Sequence, residues 1–414
     1  MLCNLIFNRG FRNIRCILFQ TALIPGLFLT NHSKGQNILV DLPSIPNGYS
    51  RASSIYAAPR QELEKGFTLS TSLATTYDSN VFQSSGDAGD STQDSFVISP
   101  GVTGSYFAGS SSWLFGATLA ANYDEYLDAS EISGENYDLT AFAGYRGGKF
   151  IVSFLSGFGF HSGLNRFLAQ NTEQYDFSNK VVARYSISPK TSIIGNLSQT
   201  SAFYQTAGLN DTTSLDAGLS ALWSVSPLID LGPGVRYGLR TQDNIDDLTV
   251  VGPTLSLNYE LSKKVSLRSR VGLDFASSDL VDDTFVNWSL RLDYKASILW
   301  QMNLTLLRDT QANAGGGGGF DEVSIVRIGY VRKIRRLTAN LGIGYESRSA
   351  VGFTTAASAT NSFDYFAYDA SLTMPVYKEN LNATVSLRYR DLSSERAGDS
   401  WDGVQTGLGL SWNF

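Results

Sequence analysis

The chain concentrates charge of both signs at alternating positions along its middle third. Arg236, Arg240, Arg268, Arg270 and Arg291, with Arg327 soon after, stand among Asp230, Glu260, Asp274 and Asp293. In an extended chain successive side chains point to opposite faces, so residues two apart share a wall. Charge gathered on one wall supports two readings. One is an arginine-bearing surface that attracts anionic or sugar-like solutes; the other is a charge-balanced network that satisfies interior side chains. Catalytic groups are scarce by comparison. Beyond the N-terminal segment the chain has one histidine, His161, beside Ser162 and Asn165. Acyl or hydrolytic chemistry needs a base held near a nucleophile and an orienting group. His161 at the end of an extended segment reads as a polar rim residue, and the chain as a non-enzyme without cofactors. No His/Cys cluster suits a transition metal. Asp243, Asp246 and Asp247, or Asp279, Asp282 and Asp283, form acidic groups that read as solvated loop rims rather than calcium cages. The run Gly315 to Gly319 lacks the Lys-Ser/Thr of a phosphate loop and reads as an external tip.

Strands are the elements that must position these walls. The 414 residues include 24 Phe, 20 Tyr, 6 Trp and 39 Gly against 10 Pro, a composition that favours an aromatic-rich β structure. From Gly66 to Phe414 we count eighteen alternating segments, with sixteen as the alternative if two weak segments are wrongly split in that count. Ser214 to Ser226 places Leu215, Leu219, Trp223 and Val225 on one face; Leu228 to Arg240 groups Ile229, Leu231, Val235, Tyr237 and Leu239. Tight links at sites such as Gly147-Gly148, Ser226-Pro227 and Lys333 to Arg335 alternate with longer ones, including Ser162 to Glu173, Gln242 to Asp247 and Asp309 to Asp321. That alternation predicts an all-β, antiparallel up-and-down transmembrane barrel with short periplasmic turns, longer external loops and both ends in the periplasm. Pro100, Pro233 and Pro253 fall inside the second, ninth and tenth strands, where each removes a ladder donor; bulges or strand ends are expected there.

The N-terminus reads as an address. Arg9, Arg12 and Arg15 precede an apolar stretch from Cys16 to Thr30, and Ser33-Lys34-Gly35 offers a cleavage pattern, which makes residues 1–35 a signal peptide. A retained anchor is disfavoured by Gln20, Pro25 and Gly26. Both cysteines, Cys3 and Cys16, lie in this segment. Its removal takes four basic residues and no acid, moving the balance from −6 to 28 basic against 38 acidic residues, or −10. Such an acidic exported chain is a poor nucleic-acid binder. Residues 36–65, broken by Pro43, Pro46 and Pro59, read as a flexible periplasmic segment, with a small plug or partner-binding arm as the alternative.

Two short stretches carry resemblances. Val404 to Phe414 alternates strictly and ends on an aromatic; Gln405, Gly407, Leu410, Trp412 and Phe414 resemble the C-terminal signal of bacterial outer-membrane β-barrels. This resemblance implies the barrel-assembly machinery and periplasmic chaperones as partners, with outer-membrane lipid around the folded chain. The last strand is expected to pair with Gly66 to Thr76, closing the barrel. Tyr77-Asp78-Ser79-Asn80-Val81-Phe82 resembles the Tyr-Asp-x-Asn-aliphatic-Phe motif of the putative beta-barrel porin 2 type. Tyr77 and Phe82 are expected to bracket the membrane interface, and Asp78 and Asn80 to set an Asx-type turn. The resemblance implies a barrel in the outer membrane of a Gram-negative-type bacterium, and some relatives are similar to proteins encoded beside exopolysaccharide export systems. The leading expectation is a passive channel for small polar, anionic or sugar-like solutes. A non-conducting partner or scaffold in polysaccharide export is the alternative.

Overall fold

In the computed structural model the described residues are 66–83, 93–110, 112–165, 170–207, 209–243, 245–262, 264–278, 282–297, 299–312, 320–351, 362–377, 380–395 and 400–414. The signal-peptide and periplasmic-segment expectations, and the Gly315 to Gly319 tip, lie outside them. Eighteen strands follow one another. They are β1 (Gly66–Asp78), β2 (Ser95–Gly109), β3 (Trp113–Tyr126), β4 (Gly134–Arg146), β5 (Phe150–Asn165) and β6 (Gln170–Ser186). The middle set is β7 (Thr191–Tyr204), β8 (Thr212–Ser226), β9 (Ile229–Gln242), β10 (Ile245–Ser262), β11 (Val265–Ser277) and β12 (Asp282–Ser297). The last are β13 (Trp300–Ala312), β14 (Phe320–Ile334), β15 (Leu337–Val351), β16 (Phe363–Tyr377), β17 (Leu381–Ser394) and β18 (Trp401–Asn413). Each pairs antiparallel with its sequence neighbours, and β1 pairs with β18 from Ser70↔Asn413 to Asp78↔Gln405, so the sheet closes on itself. Closure leaves neither terminal strand as a free sheet edge for the bilayer to solvate, the condition a β structure must meet to span lipid.

Side chains sort by face as the alternation requires. Large apolar residues such as Leu119, Trp223, Val235, Leu273 and Leu408 are exposed on the outside, while Ser220, Arg236, Asn258, Asp274 and Asp369 are buried inside. An apolar exterior around a polar interior is the arrangement lipid demands of a barrel.

The strands are longer than their sequence boundaries suggest. β5 and β6 run through most of Ser162 to Glu173, β10 starts at Ile245, and β13 reaches Ala312, so Asp246, Asp247, Asp282, Asp283 and Asp309 are strand residues rather than loop residues. Backbone pairing continues past the apolar span, where polar side chains carry no signal that separates strand from loop.

The prolines correct another expectation. Pro100, Pro233 and Pro253 stay inside continuous strands and the register does not shift. Instead the ladder lapses for two positions on one flank only: β2 resumes against β3 at Gly101↔Asn122, β8 against β9 at Trp223↔Leu231, and β10 against β11 at Thr254↔Gly272. The missing N–H is absorbed by a local gap rather than a bulge. Glycine flanks two of these gaps because the neighbouring strand crowds in. A Cβ on Gly232 would lie 1.9 Å from the Ala221 carbonyl oxygen, and one on Gly252 would lie 1.7 Å from that of Leu273.

The wall is not round. With strands ~4.8 Å apart and tilted ~40°, an even eighteen-stranded barrel is about 36 Å across and holds strands five steps apart at roughly 28 Å. Here Cα atoms of β13 come within 8 Å of both β8 and β9. The cause is visible in the pairing: β12 and β13 are zipped from Ser297↔Trp300 only as far as Trp288↔Arg308, whereas β13 and β14 stay paired out to Ala312↔Phe320. The outer end of β13 therefore leaves β12 and folds into the lumen, still zipped to β14, which in turn stays paired with β15 out to Phe320↔Val351.

Candidate functional site

Arg236 organises the interior where that inward fold lands. It sits mid-strand in β9, paired with Gly218 of β8 and Gly252 of β10. Two glycines beside it leave room for the guanidinium to lie along the wall. Its Nε and Nη2 donate to Asp216 of β8 at 3.1 and 2.7 Å, Nη1 to Asp274 of β11 at 3.0 Å, and Nη2 to both oxygens of Asp309 of β13 at 2.8 and 2.9 Å. Two steps of alternation outward, Arg240 donates through Nη2 to Asp216 at 2.9 Å and through Nε to the Thr310 carbonyl at 3.0 Å. Its Nη1 adds the carbonyls of Leu215 and Leu239. Asn287 of β12 donates to the other oxygen of Asp274. Both arginines are almost wholly buried. Buried ion pairs persist only where the remaining donors and acceptors are satisfied, because desolvation costs several kcal/mol per ion. Five hydrogen bonds from one guanidinium to three carboxylates meet that condition.

An apolar cluster covers this network on its outer side. Leu248 and Val250 of β10, Ala276 of β11 and Phe320 of β14 are buried together, with Phe285 and Ala312 packed against them. Inside a barrel of polar walls, this cluster ties the outer end of β14 to β10 and β11.

The rest of the interior is more open. His161 is well within β5, in register with Asn136 and Gln174, and its Nε2 stands 3.7 Å from a carboxylate oxygen of Asp138 and 3.7 Å from one of Asp176. These three side chains keep 42%, 51% and 39% of their exposure, and His161 stands level with the outer ends of β4 and β7. Nearby, Ser99 donates to Asp124 at 2.6 Å and Asn136 donates to the same carboxylate at 3.1 Å. Among the described residues no group of three or more His, Cys, Asp or Glu is placed to hold a metal ion.

The remaining predicted wall residues lie as follows. Arg268 and Arg270 are on the inner face of β11 with Asp274, and Arg268 pairs in register with Arg291 of β12. Arg291 holds Asp293 two residues along at 3.1 Å. Asp230 is buried near the inner end of β9 and accepts from Ser224 at 2.7 Å. Arg327 lies half-buried in β14, opposite Thr305 and Gly344, and Glu260 lies half-buried near the periplasmic end of β10. Sequence reading missed three participants. Asp216 and Asp309 complete the Arg236 network, and Lys180 of β6 feels the positive charges of Arg270 and Arg291 on strands that are not its neighbours. Asp216 alternates with Gly218 on a polar face and was legible in principle; Lys180 gave no local sign of what it would meet across the lumen.

A second constellation gathers at the barrel seam. Asn80 N–H donates to Asp78 Oδ1 at 3.1 Å, forming the expected Asx turn, and its amide donates to the Asp402 carbonyl at 2.8 Å. Ser79 exchanges bonds with Val404 in both directions, through its N–H at 3.0 Å and its hydroxyl at 2.9 Å. The Gln405 amide donates to Asp78, and its oxygen accepts from Arg390 at 3.0 Å. The Tyr77 to Phe82 motif and the C-terminal segment thus meet at one place. Tyr77 donates to Asp94 at 2.8 Å, whereas Phe82 packs on Val81, Ala129 and Ile132, inside the external loops rather than at the lipid interface. Gly407 lies where a Cβ would press on Ser386 and Thr76. Leu410, Trp412 and Phe414 face outward, with Trp412 and Phe414 stacked at 6.1 Å and the Phe414 N–H bonded to the Leu69 carbonyl at 2.9 Å.

No family model matches the chain, and no curated protein sequence matches it. Among solved structures it is similar to the FrpB iron transporter of Neisseria meningitidis, at 10% identity and a TM-score of 0.44, covering 88% of this chain and 83% of that one. It is also similar to the outer membrane protein opdK of Pseudomonas aeruginosa, at 11% identity and a TM-score of 0.41, covering 84% and 99%. The siderophore receptor PirA of Acinetobacter baumannii aligns at 8% identity and a TM-score of 0.43, covering 84% and 81%. At these values nothing about solute or mechanism transfers from them. The closed, even-numbered antiparallel barrel with an apolar exterior is itself that of an outer-membrane protein of a Gram-negative-type bacterium.

Proposed function

We propose that this barrel is a porin-like passive channel favouring small anionic or sugar-like polar solutes. The observation that carries the reading is the gathering of Arg268 and Arg270 on β11 beside Arg291 on β12, with Arg268 and Arg291 directly in register, and with Lys180 of β6 near enough across the interior to sense the charge of Arg270 and Arg291. Like charges held together in a confined space attract a counter-ion, and rings of Arg and Lys select anions in pores. The half-exposed Asp138, His161 and Asp176 side chains supply the water-filled flank of the same passage. No enzymatic step is invoked, and His161 serves as a lumen-lining polar group. Residues 1–35 act as the export signal, residues 36–65 as a periplasmic segment, and Gln405 to Phe414 as the segment read by barrel-assembly machinery and periplasmic chaperones. A non-conducting scaffold or partner of exopolysaccharide export is the second reading, favoured by the inward fold of β13 onto Arg236, which takes up part of the lumen. Reversal potentials of the purified protein in planar bilayers under a KCl gradient separate the two. Anion preference that weakens in Lys180→Gln supports the channel; an ion-impermeable folded barrel overturns it.

A further inference from the structure

We infer that the outer ends of β13 and β14 form a built-in gate, held inward by Arg236 and Arg240 and able to swing back into the wall. Three observations point there. First, β12 and β13 part company beyond Trp288↔Arg308 although both strands continue outward, β12 to Asp282 and β13 to Ala312. Continuing the same register would pair Asn287 with Asp309, Val286 with Thr310, Phe285 with Gln311 and Thr284 with Ala312. The wall therefore keeps an alternative site for β13 already in register.

Second, the inward position is fastened by a few discrete contacts rather than by a ladder. Arg236 grips the Asp309 carboxylate, Arg240 takes the Thr310 carbonyl, and Phe320 of β14 drops between Leu248, Val250 and Ala276. Contacts of this kind trade against about four residue pairs of backbone ladder, so two packings of one sequence compete. Third, the wall that receives the gate is itself loosened. The ladder lapses at Pro233 between β8 and β9 and at Pro253 between β10 and β11, on the same strands that carry the grip. Discrete contacts on one side and a ready ladder on the other make a bistable element, which a solute or a voltage acting on the Arg236 cluster would bias.

This inference rests on the channel reading only for its effect on conductance. The motion itself is tested without it. The double variant Val286→Cys, Thr310→Cys places the two thiols opposite one another only when β13 is zipped to β12, within the range a disulfide needs. Folded protein in vesicles, its folding checked by heat-modifiable migration, is treated with a thiol oxidant. The expected result is slow cross-linking that becomes at least several-fold faster when Arg236→Gln is added, with larger conductance steps after cross-linking. If Arg236→Gln does not fold, Asp309→Asn takes its place, since it removes one acceptor and leaves Arg236 with Asp216 and Asp274. A folded double-cysteine barrel that never cross-links, or one whose rate neither variant changes, overturns the gate. Cross-linking without conductance in either state sustains the gate and overturns the channel.

Discussion

Replacing Asp78 with alanine tests the seam most sharply, because one buried carboxylate there serves both ends of the chain. Asp78 is 7% exposed and accepts from the Asn80 N–H and from the Gln405 amide, the first on its own turn and the second on β18. Alanine leaves the buried Asn80 N–H without an acceptor, at about 1–3 kcal/mol, and takes one from the half-buried Gln405 amide, at about 1 kcal/mol. The sum is about 3 kcal/mol, which lowers the folded-to-unfolded ratio roughly 150-fold. Asp78→Asn keeps one carbonyl acceptor and should lose about half as much. Reversible urea unfolding in lipid vesicles, followed by tryptophan fluorescence and by heat-modifiable migration, reads both variants. A folded Asp78→Ala barrel within about 0.5 kcal/mol of wild type, the range of an ordinary surface change, would refute the idea that this turn fastens the seam.

Other outcomes follow from the same geometry. Gly252→Ala puts a methyl 1.7 Å from the Leu273 carbonyl, a contact no rotamer relieves, so its unfolding midpoint should fall well below that of Gly148→Ala, where nothing lies within 4 Å. Deleting Trp412 to Phe414 removes the Phe414 to Leu69 bond and the periplasmic-end register pairs of β1 with β18, and should impair membrane assembly while leaving the selectivity of whatever protein inserts unchanged. Normal yield of heat-modifiable barrel from that truncation would contradict it. His161→Ala should leave single-channel conductance within about twofold and its sign of selectivity intact, because two half-exposed carboxylates remain on that wall.

Much of this architecture was legible because lipid imposes a simple rule on sequence. Leu231, Val235, Tyr237 and Leu239 alternate with Asp230, Gly232, Arg236 and Arg240 since one face must meet hydrocarbon and the other must not. The strand count, the antiparallel closure of β1 on β18 and the Asx turn at Asp78 all follow from such local patterns. What stayed hidden is non-local. Nothing near Asp309 tells that it leaves β12 to meet Arg236 seventy-odd residues earlier in the chain, and its acidic neighbourhood up to Asp321 resembles an external link. Lys180 looks like any polar strand residue until the closed wall brings it near enough to sense Arg270 and Arg291, ninety and more residues further along the chain. The prolines showed that ladders would be interrupted, but whether by a bulge or by a one-sided gap depends on how closely the next strand approaches, which Gly232 and Gly252 settle only in three dimensions.

Ion selectivity of the purified, full-length barrel in planar bilayers bears most directly on the function proposed. Under a KCl gradient the expected reversal potential has the sign of anion preference, and it moves toward zero when Lys180, Arg270 and Arg291 are each changed to glutamine. A folded barrel that passes no ions, or one that prefers cations and is unaffected by these changes, would contradict it.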